Sequence, residues 1–198
     1  MEQNHRPMPT GLRVSSWIIA IATIVACYVP LLLLGVGGLA ETASDSILDA
    51  AVNTSLTIVP ILQIANLILG IIVAVRKDSD ALSITRAIML TYKLGLIPFF
   101  ILGGIIEVLC IIGGFHPILV GFMWVIGFGL GILGWFAVMS GSIWTIATAV
   151  KAKRSTLISS GECALYIVLS LFFVADVVGS IVLFVRSKQP KTGAQDIQ

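Results

Sequence analysis

The sequence predicts an all-α fold, a polytopic integral membrane bundle of five transmembrane helices. Hydrophobic residues make up 58% of the 198-residue chain and charged residues only 11%, whereas soluble domains average about 25% charged residues. The stretch from Ile118 to Val150 contains 33 residues without one charge. About 20 apolar residues suffice to cross a hydrocarbon core, so this stretch is expected to be a tilted or overhanging transmembrane helix.

The predicted spans are the apolar runs that charged or turn-forming stretches separate. They cover residues 17–40, 52–75, 94–113, 118–150 and 163–185 and form one transmembrane domain, residues 17–186. A short polar arm, residues 1–16, precedes this domain, and a polar tail, residues 187–198, follows it. Both are expected to be flexible, because polar chain ends have little apolar surface to bury.

The first span has two interpretations. Its basic flank and the small residues before Glu41 resemble a secretory signal peptide with a cleavage site. Its apolar part is longer than the roughly 7–15 residues of a signal-peptide core, which favours a retained helix. Cleavage would leave four transmembrane helices and would not change the orientation of the others.

Charged residues beside the spans predict the topology. Residues 41–51 carry three acids and no base, which is typical of an external loop, whereas the bases in residues 76–77 and 151–154 mark cytoplasmic loops. Five spans then put the N-terminus in the cytoplasm and the bases of residues 186–191 outside, against the positive-inside rule. Because late charges orient a chain only weakly, we predict an external C-terminus.

Small residues line one face of the fourth span. Gly127, Gly131, Gly134 and Gly141 recur there at helical spacing. Helices associate in lipid through close backbone approach, which such residues permit. We therefore predict a helix-packing seam around which the other helices pack. The sequence leaves open whether one chain fills this seam or a second copy does.

Four polar residues lie inside the predicted spans: Glu107, Asp176, Gln63 and Asn66. An ionisable side chain in the membrane costs about 2.5–3.5 kcal/mol on insertion scales and is a functional candidate by default. Glu107, Asp176 and Gln63 lie roughly 13–16 Å below the outer ends of their spans. We expect them in one layer, with both carboxyls pointing into the bundle. They form either a hydrogen-bonded structural link or a proton- or substrate-linked site.

No basic side chain is expected near these carboxyls. The stretch that precedes the third span either lies along the membrane surface or extends the third helix into the cytoplasm. Arg86 and Lys93 share one of its faces, and we interpret that face as solvated rather than as a site for anionic lipid headgroups. Without a basic partner, at least one of the two carboxyls should be protonated at neutral pH.

The sequence offers little support for an enzyme, a metal protein or a nucleic-acid-binding protein. No histidine follows Ser140 and Ser142 to act as a base. Cys27, Cys110 and Cys163 lack the spacing of a metal site. The net charge is only +2, and the bases lie in short clusters beside apolar runs. We therefore expect no catalytic residue, no metal, no cofactor and no nucleic-acid partner.

Two segments carry a resemblance to a known family. Residues 84–100, ITRAIMLTYKLGLIPFF, place a lysine before an Ile-Pro-Phe step, and residues 140–184 combine a basic loop with an aspartate in the last span. This pattern is similar to that of small uncharacterised bacterial multi-pass membrane proteins, a family defined by a domain of unknown function. The resemblance implies a bacterial cytoplasmic membrane and carries no activity or site residue.

Two functions fit such a chain. The first is a non-enzymatic accessory or scaffold subunit, whose partners are the lipid bilayer and another membrane protein or a second copy of itself. The alternative is a small transporter or proton-coupled permease that uses the buried carboxylates. We find no convincing internal repeat of the kind that many transporters contain.

Overall fold

The computed structural model describes residues 7–39, 45–78, 80–170 and 172–187, and every regular element in these ranges is an α-helix. The six helices are α1 (Thr10–Leu39), α2 (Asp45–Val75), α3 (Ala81–Gly113), α4 (Val120–Arg154), α5 (Ser160–Leu169) and α6 (Phe173–Arg186). The predicted all-α class is confirmed. Helices α1 to α4 each contain a stretch long and apolar enough to cross a membrane, which suggests a multi-pass membrane protein.

Helix α4 lies at the centre of the bundle. It packs against α2, α3, α5 and α6, and its contact with α3 is the most extensive in the molecule. This arrangement agrees with the expectation that other helices surround the glycine-rich span. Helix α1 completes the bundle by packing on α2 and α3.

Two helices are longer than the sequence predicts. Helix α3 begins at Ala81 instead of residue 94, because the charged residues in this stretch interrupt the apolar run without breaking the backbone. Helix α2 begins at Asp45, inside the predicted loop 41–51. Residues 40–44, where the predicted cleavage site lies, are outside the described residues.

The fifth predicted span, residues 163–185, consists of two helices. Helices α5 and α6 are antiparallel: Glu162 in the first turn of α5 forms an ion pair with Arg186 at the end of α6. Near the tip of this hairpin, a Cβ atom added to Gly179 would lie 3.6 Å from Leu169 Cδ1. The arms have 10 and 14 residues, about 15 and 21 Å long, so neither crosses a core of about 30 Å. The prediction of five spans is therefore not confirmed.

The first and last residues of the hairpin lie at the same end of the bundle. Most basic residues are also at this end, which we call the base-rich end. The Met8 N–H donates to Asp80 Oδ1 at 2.7 Å, and Arg154 donates to the carbonyl of Arg76 at 3.2 Å. At the same end, Arg86 donates to the carbonyl of Ser187 at 2.9 Å. Residues 8 and 187 therefore lie at the same end of the bundle, whereas five spans would have put them at opposite ends. Residues 1–6 and 188–198 are outside the described residues.

This arrangement predicts the result of a labelling experiment in a variant without the three native cysteines. Single cysteines at Ser155→Cys, in the α4–α5 connection, and at Gln198→Cys should react with a membrane-impermeant maleimide from the same side. Phe115→Cys, in the exposed α3–α4 connection, should react from the other side and is the matched control. Labelling of residues 198 and 115 from one side would contradict the hairpin.

Candidate functional site

The most unusual feature of the bundle is a buried ion pair between Lys93 on α3 and Asp176 in the first turn of α6. The two residues are only 5% and 1% exposed. Lys93 lies twelve residues into α3, about 18 Å from the helix start. The expectation that no basic side chain reaches Asp176 is therefore wrong, as is the solvated face predicted for Lys93. The error arises because α3 starts earlier than predicted and carries Lys93 into the bundle.

Two hydroxyl groups of α4 complete the surroundings of Asp176. Ser142 Oγ lies 3.2 Å from Asp176 Oδ2, and Thr145 Oγ1 lies 3.2 Å from Asp176 Oδ1. Lys93 Nζ is 3.5 Å from Ser142 Oγ, and Ser180 Oγ is 3.0 Å from Thr145 Oγ1. Both carboxyl oxygens of Asp176 therefore have a hydroxyl group of α4 beside them, in addition to Lys93.

The tip of the α5–α6 hairpin is fixed to α4 by the same serine. Ser142 Oγ lies 2.6 Å from the carbonyl oxygen of Ser170, where α5 ends and backbone carbonyls lose their helical partners. Ser142 has one proton and two nearer acceptors besides Asp176, so it donates to only one of them at a time. A non-helical backbone at membrane depth is tolerated where protein buries it, and Ser170 is fully buried.

We call Ser142, Thr145, Ser170 and Asp176, with Lys93 beside them, the tip cluster. Ser142 lies twelve residues before the end of α4, about 18 Å from the base-rich end. The tip cluster therefore lies deep in the bundle, and three sets of helices meet there: α3, α4 and the hairpin.

A second polar cluster links α2, α3 and α4 at the same level of α3 and α4 as the tip cluster. Asn66 Nδ2 donates to the carbonyl of Ser140 at 2.7 Å, and Asn66 Oδ1 accepts from Trp144 Nε1 at 3.0 Å. Tyr92 Oη lies 2.6 Å from Ser140 Oγ. These residues are all buried, so Asn66 has the geometry of an interhelical link and does not touch either carboxyl.

Gln63 occupies a separate position between α1 and α2. Its Nε2 atom lies 3.6 Å from Cys27 Sγ, while its Oε1 atom is buried without a hydrogen-bond partner among the described residues. A small cavity beside it is lined mostly by apolar side chains, including Phe99 and Leu130. Gln63 therefore contacts neither Asp176 nor Glu107 within the described part of the chain.

Glu107 does not point into the bundle. Its side chain is exposed and lines a groove of about 380 Å³ between the outer parts of α3 and α4. Glu107 is 14 residues from Lys93 on α3, a separation of about 21 Å along the helix. The predicted common layer of Glu107 and Asp176 is wrong, because the last apolar segment turns back and never reaches the outer end. No hydrogen bond or ion pair engages the Glu107 carboxylate within the described part of the chain.

The four seam glycines all face α3. A Cβ atom added to Gly141 would lie 2.6 Å from Tyr92 Cε1, and one added to Gly131 would lie 3.3 Å from Glu107 Oε1. At Gly127 and Gly134 the nearest atoms belong to Cys110 and Phe100, which are also on α3. At Gly141 the seam is therefore filled within one chain, whereas Gly127 and Gly131 are only partly buried and line the groove beside Glu107.

Exposed charged side chains form ion pairs at the base-rich end. The pKa of Glu162 is lowered, mainly because its carboxylate accepts the N–H of Ser159 and also because Arg186 is nearby. The pKa of Arg76 is raised, mainly by its hydrogen bond to Asp78. Among the described residues, no group of three or more His, Cys, Asp or Glu side chains is placed to hold a metal ion.

The helices that build these sites match one family model over residues 15–189, from α1 to just beyond α6. The chain belongs to DUF6652, a family of unknown function. The matched range contains Lys93, Glu107 and Asp176, so both the tip cluster and the groove belong to the DUF6652 region. No curated protein and no solved structure matches the chain. The resemblance to a family of unknown function is confirmed.

Proposed function

We propose that this protein is a non-enzymatic accessory or scaffold subunit of the bacterial cytoplasmic membrane. It binds another membrane protein in the groove between the outer parts of α3 and α4, and its base-rich end faces the cytoplasm. The observation that carries this proposal is the Glu107 carboxylate, which is exposed in an apolar groove and has no partner among the described residues.

The position of the groove follows from the shortness of the α5–α6 hairpin. Glu107 and Lys93 are 14 residues apart, and Gly131 and Ser142 are 11 residues apart, which correspond to about four and three helical turns. The groove therefore continues the same face of α3 and α4 that the hairpin covers nearer the base-rich end. Because the hairpin turns back at Ser170, this outer part of the face is uncovered and can accept a helix of a partner.

Charge identifies the chemistry of the partner. A carboxylate at membrane depth costs about 2.5–3.5 kcal/mol on insertion scales, and a basic or hydrogen-bond-donating side chain opposite it would offset part of this cost. Large apolar side chains line the rest of the groove, among them Phe128, Ile132 and Trp135. The expected partner is a membrane helix that is apolar except for one Lys, Arg or amide side chain facing Glu107.

Photo-crosslinking in native membranes tests this proposal. A photoreactive residue at Ile111 in the groove should give one discrete adduct with another membrane protein, attached beside a basic or amide residue. The same residue at Ile61, similarly exposed on α2, is the matched control and should give lipid adducts only. Glu107→Leu should reduce the Ile111 adduct at least about tenfold, the effect of losing roughly 1.4 kcal/mol of binding.

Three outcomes would overturn the accessory role. Equal adducts from Ile111 and Ile61 would mean that the groove faces lipid. An adduct between two copies of this chain would mean that the groove mediates self-association and does not bind another protein. If the yield of an adduct with another protein were the same in Glu107→Leu, Glu107 would not be the residue that recognises the partner. If the partner residue is basic, reversing both charges should restore an adduct that either reversal alone abolishes.

The second candidate function is a small proton-coupled permease, which the tip cluster favours. Secondary transporters often place their sites at interrupted helices near the middle of the membrane, and intramembrane charges often mark proton pathways. Liposomes that contain the protein and a pH-sensitive dye should then dissipate an imposed pH gradient faster than empty liposomes. Asp176→Asn should abolish this flux and Glu107→Gln should not. Equal rates with and without protein would contradict a proton pathway.

A further inference from the structure

The Lys93 ammonium contacts Asp176 Oδ2 and lies 3.5 Å from Ser142 Oγ, beside a group of further oxygen atoms. Successive oxygens in this group are close together: Ser170 O to Ser142 Oγ is 2.6 Å, Ser142 Oγ to Asp176 Oδ2 is 3.2 Å, and Thr145 Oγ1 to Asp176 Oδ1 is 3.2 Å. We propose that the tip cluster is a binding site for a dehydrated monovalent metal cation of the Na⁺ or K⁺ class, which the Lys93 ammonium fills in this conformation.

The donor set fits a hard monovalent ion. Carboxylate, hydroxyl and carbonyl oxygens are the ligands that hard cations prefer. The site has one carboxylate, so a monovalent ion in place of the ammonium keeps it neutral, whereas a divalent ion would leave a buried excess charge. The other charged side chains of α3 lie farther along the helix: Glu107 is about 21 Å and Arg86 about 10 Å from Lys93. Tyr92 and Tyr166 are the neutral titratable groups packed nearby, against Gly141 and Gly179.

The hairpin supplies a second favourable element. Helix α5 ends at Ser170, so the negative end of its dipole and its freed carbonyls face the tip cluster. Helix ends and unwound carbonyls inside a membrane protein are recurrent binding elements for Na⁺ and H⁺. All four oxygen-bearing residues of the cluster, Ser142, Thr145, Ser170 and Asp176, are 2% exposed or less, and this burial keeps competing water away.

Lys93 acts in this proposal as a tethered competitor for the site. Its ammonium belongs to α3 while the oxygens belong to α4 and the hairpin, so replacing it by a free ion would uncouple α3 from the hairpin tip. This inference does not depend on the proposed accessory role, because the groove and the tip cluster share no residue.

Thermal unfolding of the purified full-length protein in detergent tests the proposal. Lys93→Met keeps a side chain of similar length and removes only the ammonium charge. In choline chloride this variant should have a lower Tm than the wild type, and exchanging choline for Na⁺ or K⁺ at constant ionic strength should raise its Tm saturably by roughly 5 °C or more. The wild type, whose site is filled by Lys93, should change by less than about 1 °C.

Control variants separate a bound ion from a general salt effect. Lys153→Met, on the exposed surface of α4, should show no difference between Na⁺ and choline. Adding Asp176→Asn to Lys93→Met should abolish the Na⁺ response, because the remaining site is neutral. Adding Thr145→Val should weaken it, because one oxygen ligand is lost.

A Lys93→Met variant with the same Tm in Na⁺, K⁺ and choline would overturn the proposal, and so would a Na⁺ response that survives Asp176→Asn. If Lys93→Met does not yield folded protein, Lys93→Gln is measured in the same way, because its shorter amide side chain also vacates the ammonium position. Absence of a cation response in that variant would overturn the proposal equally.

Discussion

Asp176→Asn is expected to lower the free energy of unfolding by about 3–5 kcal/mol, because it leaves the Lys93 ammonium buried without a counter-charge. Asn has nearly the same shape as Asp, so the loss reports the charge and not a cavity. Both members of the pair are buried, and Ser142 and Thr145 hold the carboxylate in place. Reversible unfolding in mixed detergent micelles, followed by circular dichroism, measures the change.

The double variant Lys93→Met with Asp176→Asn is the decisive control for this prediction. Removing both charges should recover most of the stability, because no unpaired charge then remains in the bundle. Glu162→Gln removes the exposed ion pair with Arg186 at the base of the hairpin and should change stability far less, because solvent screens that pair. A single variant as stable as the double variant would show that the ion pair contributes little.

The apolar runs of the sequence predicted most of the architecture. Four long helices cover the first four predicted spans, because about 20 uncharged residues have few alternatives to a helix in a membrane. The sequence left open that residues 81–93 extend α3, but it placed such an extension in the cytoplasm, because Arg86 and Lys93 interrupt the apolar run. Taking α3 from Ala81 would have placed Lys93 inside the bundle and suggested it as a partner for Asp176.

The hairpin could not be derived from local signals. Residues 170–172 contain neither Gly nor Pro, and the break depends on tertiary contacts that Ser142 and Lys93 make with the tip. One signal did exist. Five spans put the bases of residues 186–191 on the external side, and this violation of the positive-inside rule disappears when the last segment turns back.

The site was only partly predictable for the same reason. Asp176 was recognised as a candidate from its residue type and depth, but its neighbours depend on the path of the chain. Glu107 and Asp176 were placed in one layer by counting residues from the outer ends of their predicted spans. This count is wrong for Asp176, because the last segment is a hairpin that does not reach the outer end. The number of residues between two positions on one helix gives their separation reliably. Comparing the depths of residues on different helices requires the correct topology.

Gly141→Leu is expected to cost about 3 kcal/mol or more of folding free energy, because the packing of α3 on α4 leaves no room for a side chain there. An added Cβ alone would lie 2.6 Å from Tyr92 Cε1 and 3.2 Å from Lys93 Nζ. Tyr92 is fully buried and its hydroxyl lies 2.6 Å from Ser140 Oγ, so the ring cannot move aside without breaking that contact. The Tm of the purified variant measures the loss.

Gly129→Leu on the same helix is the matched control, because an added Cβ there meets no atom within 4 Å. It should retain a Tm near that of the wild type, since Leu favours a helix more than Gly does. Equal losses in the two variants would mean that α3 does not pack on Gly141. A loss confined to Gly141→Leu supports the close contact that brings Lys93 to Asp176, and hence the tip cluster on which the permease and the cation site both depend.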